Sequence, residues 1–310
     1  MSNSKSLIFI VGPTAVGKSD AALKLAGILN GEIISCDAMQ VYREINIASN
    51  KPSEKDIQKI KHHLINIIPV EEEFHVYRFN LLVGETVRDI IARGKIPILV
   101  GGSGLYVQVL LDGLFEKAQK NEEIRNNLSE TARDKGLDFL YEQLKEKDPQ
   151  AAQSIHPHDE KRIIRALEVY ALTGEPFSKV KHDRKGLAQE YSTLIFGLNC
   201  DREKLYSTIN KRVIAMFGRG LVDEVKALQN KKLSITAERV ISIPEVKRYL
   251  AGECDLKTAQ EEIMQHTRNY AKRQLTWFRK EKRIQWFDTD WFENLQDIAA
   301  AMKDCYDKTR

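Results

Sequence analysis

The sequence has few cysteines and no long apolar run. Its four cysteines lie far apart in 310 residues, without a C-x-x-C pair, so neither a disulfide scaffold nor a zinc site is indicated. The apolar run Leu7–Val11 is too short for the core of a signal peptide, and no other run approaches the roughly 20 residues that span a bilayer. We therefore expect a cytoplasmic protein that does not associate with membranes.

A large excess of one charge is also absent. Lysine and arginine number 48 against 44 acidic residues, a formal net charge of +4, so overall charge alone does not indicate a nucleic-acid partner. The chain is 42% hydrophobic and 30% charged, which excludes collagenous and disordered classes. The length suits one α/β core with a second lobe.

Apolar segments with the pattern of buried strands alternate with helical segments along most of the chain. This alternation predicts a parallel sheet with helices on both faces. The strand signal disappears between residues 116 and 190, where Asp159–Leu172 is the clearest helix. We therefore predict three segments: an α/β core over 1–115, a helical insertion over 116–190, and the rest of the core over 191–310, with a long helix at Leu256–Lys280. The predicted strands are Leu7–Val11, Glu32–Cys36, Ile96–Val100, Thr193–Leu198 and Ile284–Phe287.

A glycine-rich segment between the first strand and the first helix matches the phosphate-binding pattern G-x-x-x-x-G-K-[ST]. Such a loop turns its backbone N–H groups toward a phosphate, and the following helix adds the partial positive charge of its N-terminus. The lysine neutralises phosphate oxygens, and the hydroxyl after it can bind Mg²⁺. The loop consists of Gly12, Pro13, Thr14, Ala15, Val16, Gly17, Lys18 and Ser19.

The carboxylate that holds Mg²⁺ in many NTPases usually follows a later strand. Here Ile96–Val100 is followed by glycines, and the strand that leads into an aspartate is Glu32–Cys36, before Asp37. At the carboxyl edge of the sheet, beside the loop, Asp37 is placed to accept a proton from a substrate. The alternative is an aspartate that caps a helix or a turn.

Several blocks in sequence order resemble the tRNA dimethylallyltransferases, also called tRNA isopentenyltransferases. They cover nearly the whole chain. The resemblance implies transfer of the dimethylallyl group from dimethylallyl diphosphate to the exocyclic amine of the adenosine on the 3′ side of the anticodon, with release of diphosphate. The blocks are Gly12–Ser19, Ser35–Tyr42, Lys51-Pro52, His62–Leu64, Gly101–Tyr106, Arg165–Tyr170 with Thr173-Gly174, and Ala271–Trp277.

The resemblance also implies roles for individual residues. Asp37 would be the general base, whereas Thr14, Lys18 and Arg212, with Mg²⁺ on Ser19, would stabilise the diphosphate. The implied partners are the anticodon stem-loop of tRNA and dimethylallyl diphosphate, and we expect a monomer. The residues expected to contact tRNA are Asp37, Ala38, Met39, Gln40, Ser103, Arg125, Lys161, Arg162, Arg165 and Arg239.

Two positions depart from the family pattern. Family members usually have serine where this chain has Ala38, so a hydroxyl near the base is lost. A block that commonly reads Gln-x-x-Gly-Tyr-Lys-Glu is Arg239–Glu245 here, with Ser242 at the place of the glycine.

A concentration of positive charge supports an RNA partner independently. His266–Arg283 contains seven lysines and arginines and one acidic residue, although a solvated helix face would have the same pattern. A free-nucleotide prenyltransferase or a small-molecule kinase could use the same loop and Asp37 without this basic helix. A non-catalytic RNA-binding protein would keep the helix but would not need Lys18.

Overall fold

The computed structural model describes residues 6–114, 121–180 and 184–309. They form two compact units. Unit 1 includes the chain up to Leu111 and from Leu187 onward, and unit 2 is Asp112–Gly186. The first segment boundary expected from the sequence, between residues 115 and 116, lies outside the described residues.

Unit 1 is built on a six-stranded sheet in which neighbouring strands are parallel. Its order is β3-β2-β4-β1-β5-β6. The α/β class with a parallel core is therefore confirmed, and the five predicted strands agree with the structure to within about one residue at most ends. The strands are β1 (Ser6–Val11), β2 (Gly31–Ser35), β3 (His62–His63), β4 (Ile96–Gly101), β5 (Ser192–Asn199) and β6 (Ile284–Asp288).

The central strand β1 is apolar throughout because both faces of the sheet are covered. Phe9 and Val11 belong to one buried cluster, and Ile8 and Ile10 belong to another on the opposite face. This is the two-residue alternation of a strand, here with apolar residues on both sides. The short edge strand β3 was not predicted, since two histidines carry no apolar pattern.

Helices flank the sheet in unit 1 and make up unit 2. Unit 1 holds α1 (Lys18–Leu29), α2 (Glu54–Lys59), α3 (Val76–Ala92) and α4 (Gly104–Asp112), which extends one residue into unit 2. Unit 2 holds α5 (Glu122–Lys135), α6 (Leu137–Lys147), α7 (Pro149–Ser154), α8 (Glu160–Thr173) and α9 (Phe177–Val180). Unit 1 continues with α10 (Leu187–Glu190), α11 (Arg202–Gly218), α12 (Leu221–Ala227), α13 (Ile235–Glu238), α14 (Ile243–Leu250), α15 (Leu256–Phe278) and α16 (Leu295–Asp307).

The ends of α8 and α15 have clear local causes. The Asp159 side chain accepts a hydrogen bond from the N–H of Arg162, and Gly174 ends α8 in the left-handed conformation, as expected for a helix cap at each end. Asp255 caps the basic helix α15 in the same way. No helix among the described residues is both long and apolar enough to cross a membrane.

Candidate active site

The phosphate-binding loop follows β1 at the carboxyl edge of the sheet. Gly12 has φ +142°, and a Cβ there would lie 2.5 Å from the carbonyl oxygen of Leu198 on the neighbouring strand. Gly17 has φ +93° and leads directly into α1. Both positions therefore need glycine, the first because of close approach and the second because of its backbone conformation.

Lys18 is the first residue of α1, and its ammonium turns back across the loop. Its Nζ donates a hydrogen bond of 2.6 Å to the carbonyl oxygen of Pro13. Burial, together with the positive charge of Arg212, lowers the pKa of Lys18 to about 7, although Asp37 acts in the opposite direction. A negatively charged ligand beside Lys18 would therefore raise its pKa and favour the charged ammonium.

Asp37 lies two residues beyond β2. Its carboxylate accepts a 2.8 Å hydrogen bond from the backbone N–H of Met39, a turn that fixes the carboxylate at the edge of the sheet. Burial raises the pKa of Asp37, although the Met39 N–H, Lys18 and Arg212 oppose that rise. Burial thus increases the affinity of this carboxylate for a proton, as a general base requires, while the two cations favour its charged form.

Arg212 reaches the loop from α11. Arg212 Nη2 donates a hydrogen bond to Thr14 Oγ1, and the two atoms are 2.8 Å apart. Burial lowers the pKa of Arg212 to about 10 despite attraction to Asp37, so the guanidinium remains charged at neutral pH. Its Nε is buried and finds no hydrogen-bond partner among the described residues, which leaves a donor available at this site.

Gln274 on α15 joins the loop to the end of β4. Its Oε1 accepts from the N–H of Thr14 at 2.8 Å, and its Nε2 donates to the carbonyl oxygen of Gly102 at 3.0 Å. One turn earlier on α15, Tyr270 lies near Ser103, and burial raises the pKa of Tyr270 to about 12. The sequence placed Gln274 and Tyr270 in or beside a family block but gave neither a role at the loop.

These side chains surround one cavity of about 910 Å³ within unit 1. Its volume falls within the range of small-molecule sites. The four residues predicted as catalytic all line it, as do Ser19 and Gln40, whereas Ala38, Met39, Ser103 and Arg239 lie outside it. The predicted catalytic residues brought together are Thr14, Lys18, Asp37 and Arg212.

The start of α16 lines the same cavity through Asn294 and Leu295. The helix was not predicted. A cap signal at Asn294, followed by the buried residues Ile298, Ala299, Met302 and Tyr306, is the pattern that could have identified it.

The predicted tRNA-contacting residues of unit 2 fall into two groups. Arg125 and Arg165 bind the fully buried carboxylate of Glu168 at 2.9 and 2.7 Å. Burial would raise the pKa of Glu168, but these two arginines and the N–H of Asn121 outweigh it and hold the pKa below its usual value. Arg125 and Arg165 therefore have a structural task. Lys161 and Arg162 expose their side chains to solvent, and Arg162 Nε lies 3.3 Å from a carboxylate oxygen of Asp159.

The oxygen ligands that the loop offers would bind Mg²⁺ only if a bound ligand supplied further oxygen atoms. Ser19 is exposed in the first turn of α1, and the described residues contain no group of three or more His, Cys, Asp and Glu side chains that could hold a metal. Mg²⁺ commonly takes one or two protein ligands and completes its shell with phosphate oxygens and water. The loop therefore fits a magnesium ion that arrives with a diphosphate.

Comparisons with known proteins identify the family of this chain. A sequence model described as IPP transferase matches residues 40–281. The tRNA dimethylallyltransferase of Halothermothrix orenii is 43% identical over 92% of this chain and 88% of its own length, and that of Alkaliphilus oremlandii is 42% identical over 95% of each.

Solved structures give the same result. The tRNA isopentenylpyrophosphate transferase of Bacillus halodurans is 36% identical with a TM-score of 0.71, and the match covers 97% of this chain and 96% of that one. A eukaryotic dimethylallyltransferase acting on tRNA is 30% identical with a TM-score of 0.85, over 99% of this chain and 80% of that one. The expected resemblance is confirmed, and the chain belongs to the IPP transferase family, together with these tRNA dimethylallyltransferases.

Proposed function

We propose that this protein is a tRNA dimethylallyltransferase. It transfers the dimethylallyl group of dimethylallyl diphosphate to the exocyclic amine of the adenosine on the 3′ side of the anticodon. The bond between C1 and the diphosphate oxygen breaks, a bond from C1 to the amine nitrogen forms, and the amine loses one proton. The observation that carries the proposal is the meeting of Lys18, Arg212 and Asp37 around one cavity at the edge of the sheet.

The loop side of the cavity binds the leaving group. The backbone N–H groups of the loop, Lys18 and Arg212 supply positive charge where diphosphate develops negative charge. Fixed charges in a partly dry site require little reorganisation during the reaction, so they contribute a large share of catalysis. A magnesium ion at Ser19, when bound, would add Lewis-acid neutralisation of the same oxygens.

Asp37 takes the proton from the amine. It faces the same cavity as Lys18, so a base inserted opposite the diphosphate brings its amine to this carboxylate. General base catalysis of this kind contributes about 10²- to 10⁴-fold in rate. The adenine must leave its stack to reach such a recessed site.

The tRNA would be held by exposed positive charge on α15 and on α8. Lys272 and Arg273 are exposed on α15, and Lys161 and Arg162 are exposed on α8. Such contacts with phosphates position an RNA without reading its sequence. We also propose that the protein acts as a monomer in the cytoplasm.

The decisive experiment offers labelled dimethylallyl diphosphate with either a tRNA anticodon stem-loop or AMP. We expect label in the stem-loop, at the adenosine beside the anticodon, and none in AMP. Label in AMP would instead indicate a free-nucleotide prenyltransferase, and transfer of phosphate would indicate a kinase. The Lys18→Ala protein is the matched control, since it should bind the stem-loop and transfer little label.

A further inference from the structure

All three tryptophans of this chain expose a substantial part of their side chain. Trp277 and Trp286 are each 38% exposed and Trp291 is 81% exposed. Large aromatic side chains are usually mostly buried. An indole as exposed as that of Trp291 contributes little to the free energy of folding. A role in binding is the alternative.

Trp286 and Trp291 line a separate pocket of about 360 Å³ in unit 1. We call it the tryptophan pocket, and its lining residues are Asn199, Arg279, Trp286, Asp288 and Trp291. Asn199 and Asp288 are paired residues at the ends of β5 and β6. The pocket therefore lies at the carboxyl ends of parallel strands, the edge at which open α/β sheets bind ligands.

The indole of Trp286 is held in place by the sheet. Trp286 pairs with Gly197 on β5, and a Cβ at Gly197 would lie 2.8 Å from the indole ring. The missing side chain lets the ring lie against the β5 backbone. A supported aromatic ring binds a flat ligand with little loss of side-chain entropy.

The charge around this pocket favours a polyanion. Arg279 follows α15 directly and lines the pocket, and the neighbouring Lys280 and Lys282 are exposed. The carboxylate of Asp288 accepts a hydrogen bond from the N–H of Asp290 at 3.0 Å and is the one acidic side chain of the lining, so the excess of positive charge comes from Arg279 with Lys280 and Lys282. Aromatic rings beside arginine and lysine are the common means of holding single-stranded nucleic acid.

We propose that the tryptophan pocket binds one unpaired nucleobase of the tRNA substrate, outside the reaction cavity. The base stacks on Trp286 and Trp291, Arg279 meets the adjoining phosphate, and the Asn199 amide offers a donor and an acceptor to the edge of the base. This inference rests on the proposed function, because it assigns the nucleotide to the substrate RNA.

The test measures binding of an anticodon stem-loop by Trp291→Ala, Trp291→Phe and Tyr77→Ala proteins. Tyr77 is a matched control, 43% exposed on α3 of the same unit. We expect Trp291→Ala to weaken binding by about 5- to 150-fold, the effect of losing one stacked base. Trp291→Phe should restore most of the affinity, and Tyr77→Ala should leave it unchanged.

The salt dependence separates stacking from charge. Trp291→Ala should leave the slope of log affinity against log salt unchanged, whereas Arg279→Ala should reduce it by about 0.7 for one phosphate contact on a single strand. The KM for dimethylallyl diphosphate and the single-turnover rate at saturating stem-loop should stay at the wild-type values for Trp291→Ala. This separates a binding subsite from damage to the reaction cavity.

Three results would overturn the inference. Stem-loop affinity of Trp291→Ala within twofold of wild type would exclude stacking. Binding of AMP alone that depends on Trp291 and is not displaced by the stem-loop would indicate a free-nucleotide site. Self-association that disappears in Trp291→Ala, with unchanged stem-loop affinity, would assign the face to a second copy. If wild-type protein bound the stem-loop through Trp291 but did not prenylate it, the proposed function would fail instead.

Discussion

The side chain of Gln274 accepts a hydrogen bond from the backbone N–H of Thr14, which lies 260 positions earlier in the chain, at 2.8 Å. The same amide donates to the carbonyl oxygen of Gly102. Gln274 belongs to α15, the helix with the concentrated positive charge, so one amide joins that helix to the phosphate-binding loop and to the end of β4. The shape of the loop therefore depends on a residue of the helix proposed to bind RNA.

We expect Gln274→Ala to weaken the binding of inorganic diphosphate by about tenfold, the equivalent of roughly 1.4 kcal/mol. The substitution leaves the Thr14 N–H and the Gly102 carbonyl without their partner, and buried groups of this kind cost about 1–3 kcal/mol each. Titration calorimetry measures the affinity, with Gln265→Ala on the exposed side of the same helix as control. Unchanged affinity in a folded Gln274→Ala protein would mean that Thr14 is positioned without Gln274.

Asp37→Asn should lower the single-turnover rate by about 10²- to 10⁴-fold and leave diphosphate affinity nearly unchanged. Asparagine keeps the size of the side chain and can still accept the Met39 N–H bond, but it cannot take up the proton from the amine. Because burial raises the pKa of Asp37, the acid side of the wild-type rate profile should fall above the usual carboxyl range. A fully active Asp37→Asn protein would show that Asp37 is not the base.

The sequence predicted the sheet and the loop because each depends on a local pattern. Continuous apolar strands bounded by glycine, and a glycine-rich turn before a helix, are readable without any knowledge of distant contacts. Asp37 was also found locally, as the aspartate that follows a predicted strand. The bridge made by Gln274 was not, because a glutamine on a helix face gives no sign of which distant backbone groups it will meet.

The arginines of unit 2 illustrate the same difference. The family resemblance implied that Arg125 and Arg165 contact tRNA, and in the structure both side chains also bind the buried Glu168. The sequence shows Glu168 as an acidic residue beside the apolar face of a predicted helix. It does not show which arginines bind Glu168, because that depends on the packing of α5 against α8. The sequence therefore did not show that these two arginines share a buried acidic partner.

Diphosphate affinity should decline as pH rises above about 7, by up to about tenfold per pH unit. The Lys18 pKa is about 7 in the free protein, and the negative charge of bound diphosphate raises it, so binding takes up a proton in this range. About one pH unit or more below 7 the lysine is already protonated, and its contribution is fully present. The measurement is a titration with inorganic diphosphate from pH 7 to 9. Lys18→Met, which carries no charge, should bind weakly and lose this slope, and an equal slope in both proteins would contradict the assignment.

Replacing Lys272 with alanine should weaken stem-loop binding and reduce its salt slope by about 0.7–0.9 for each phosphate that the lysine neutralises. Lys272 is exposed on α15. Arg268 lies about one turn earlier on the same helix, but its guanidinium donates to Asn210 and Gln265, both at 2.7 Å, so Lys272 is the cleaner test. Lys257→Ala, at the start of the same helix, is the matched control. An unchanged slope for Lys272→Ala would identify this residue as part of a solvated face.

Ser242→Gly should stabilise the protein. Ser242 is buried and has φ +100°, a conformation that costs a residue with a side chain about 1–3 kcal/mol. Its hydroxyl is also buried without a hydrogen-bond partner among the described residues, whereas its backbone N–H donates to Glu245 at 2.8 Å and would continue to do so in glycine. The gain is partly offset by the greater freedom of glycine in the unfolded chain, about 0.5–1 kcal/mol.

The net stabilisation expected for Ser242→Gly is about 1 kcal/mol, which corresponds to a rise in Tm of roughly 2–4 °C for a chain of this size. Ser242→Ala separates the two causes: it removes the unpartnered hydroxyl but keeps the Cβ, so it should gain less than glycine. Thermal unfolding of the three proteins under identical conditions gives the comparison. If Ser242→Ala is as stable as Ser242→Gly, the unpartnered hydroxyl accounts for all of the destabilisation by Ser242, and the backbone conformation accounts for none. A lower Tm for glycine would mean that the serine side chain itself holds the start of α14 in place.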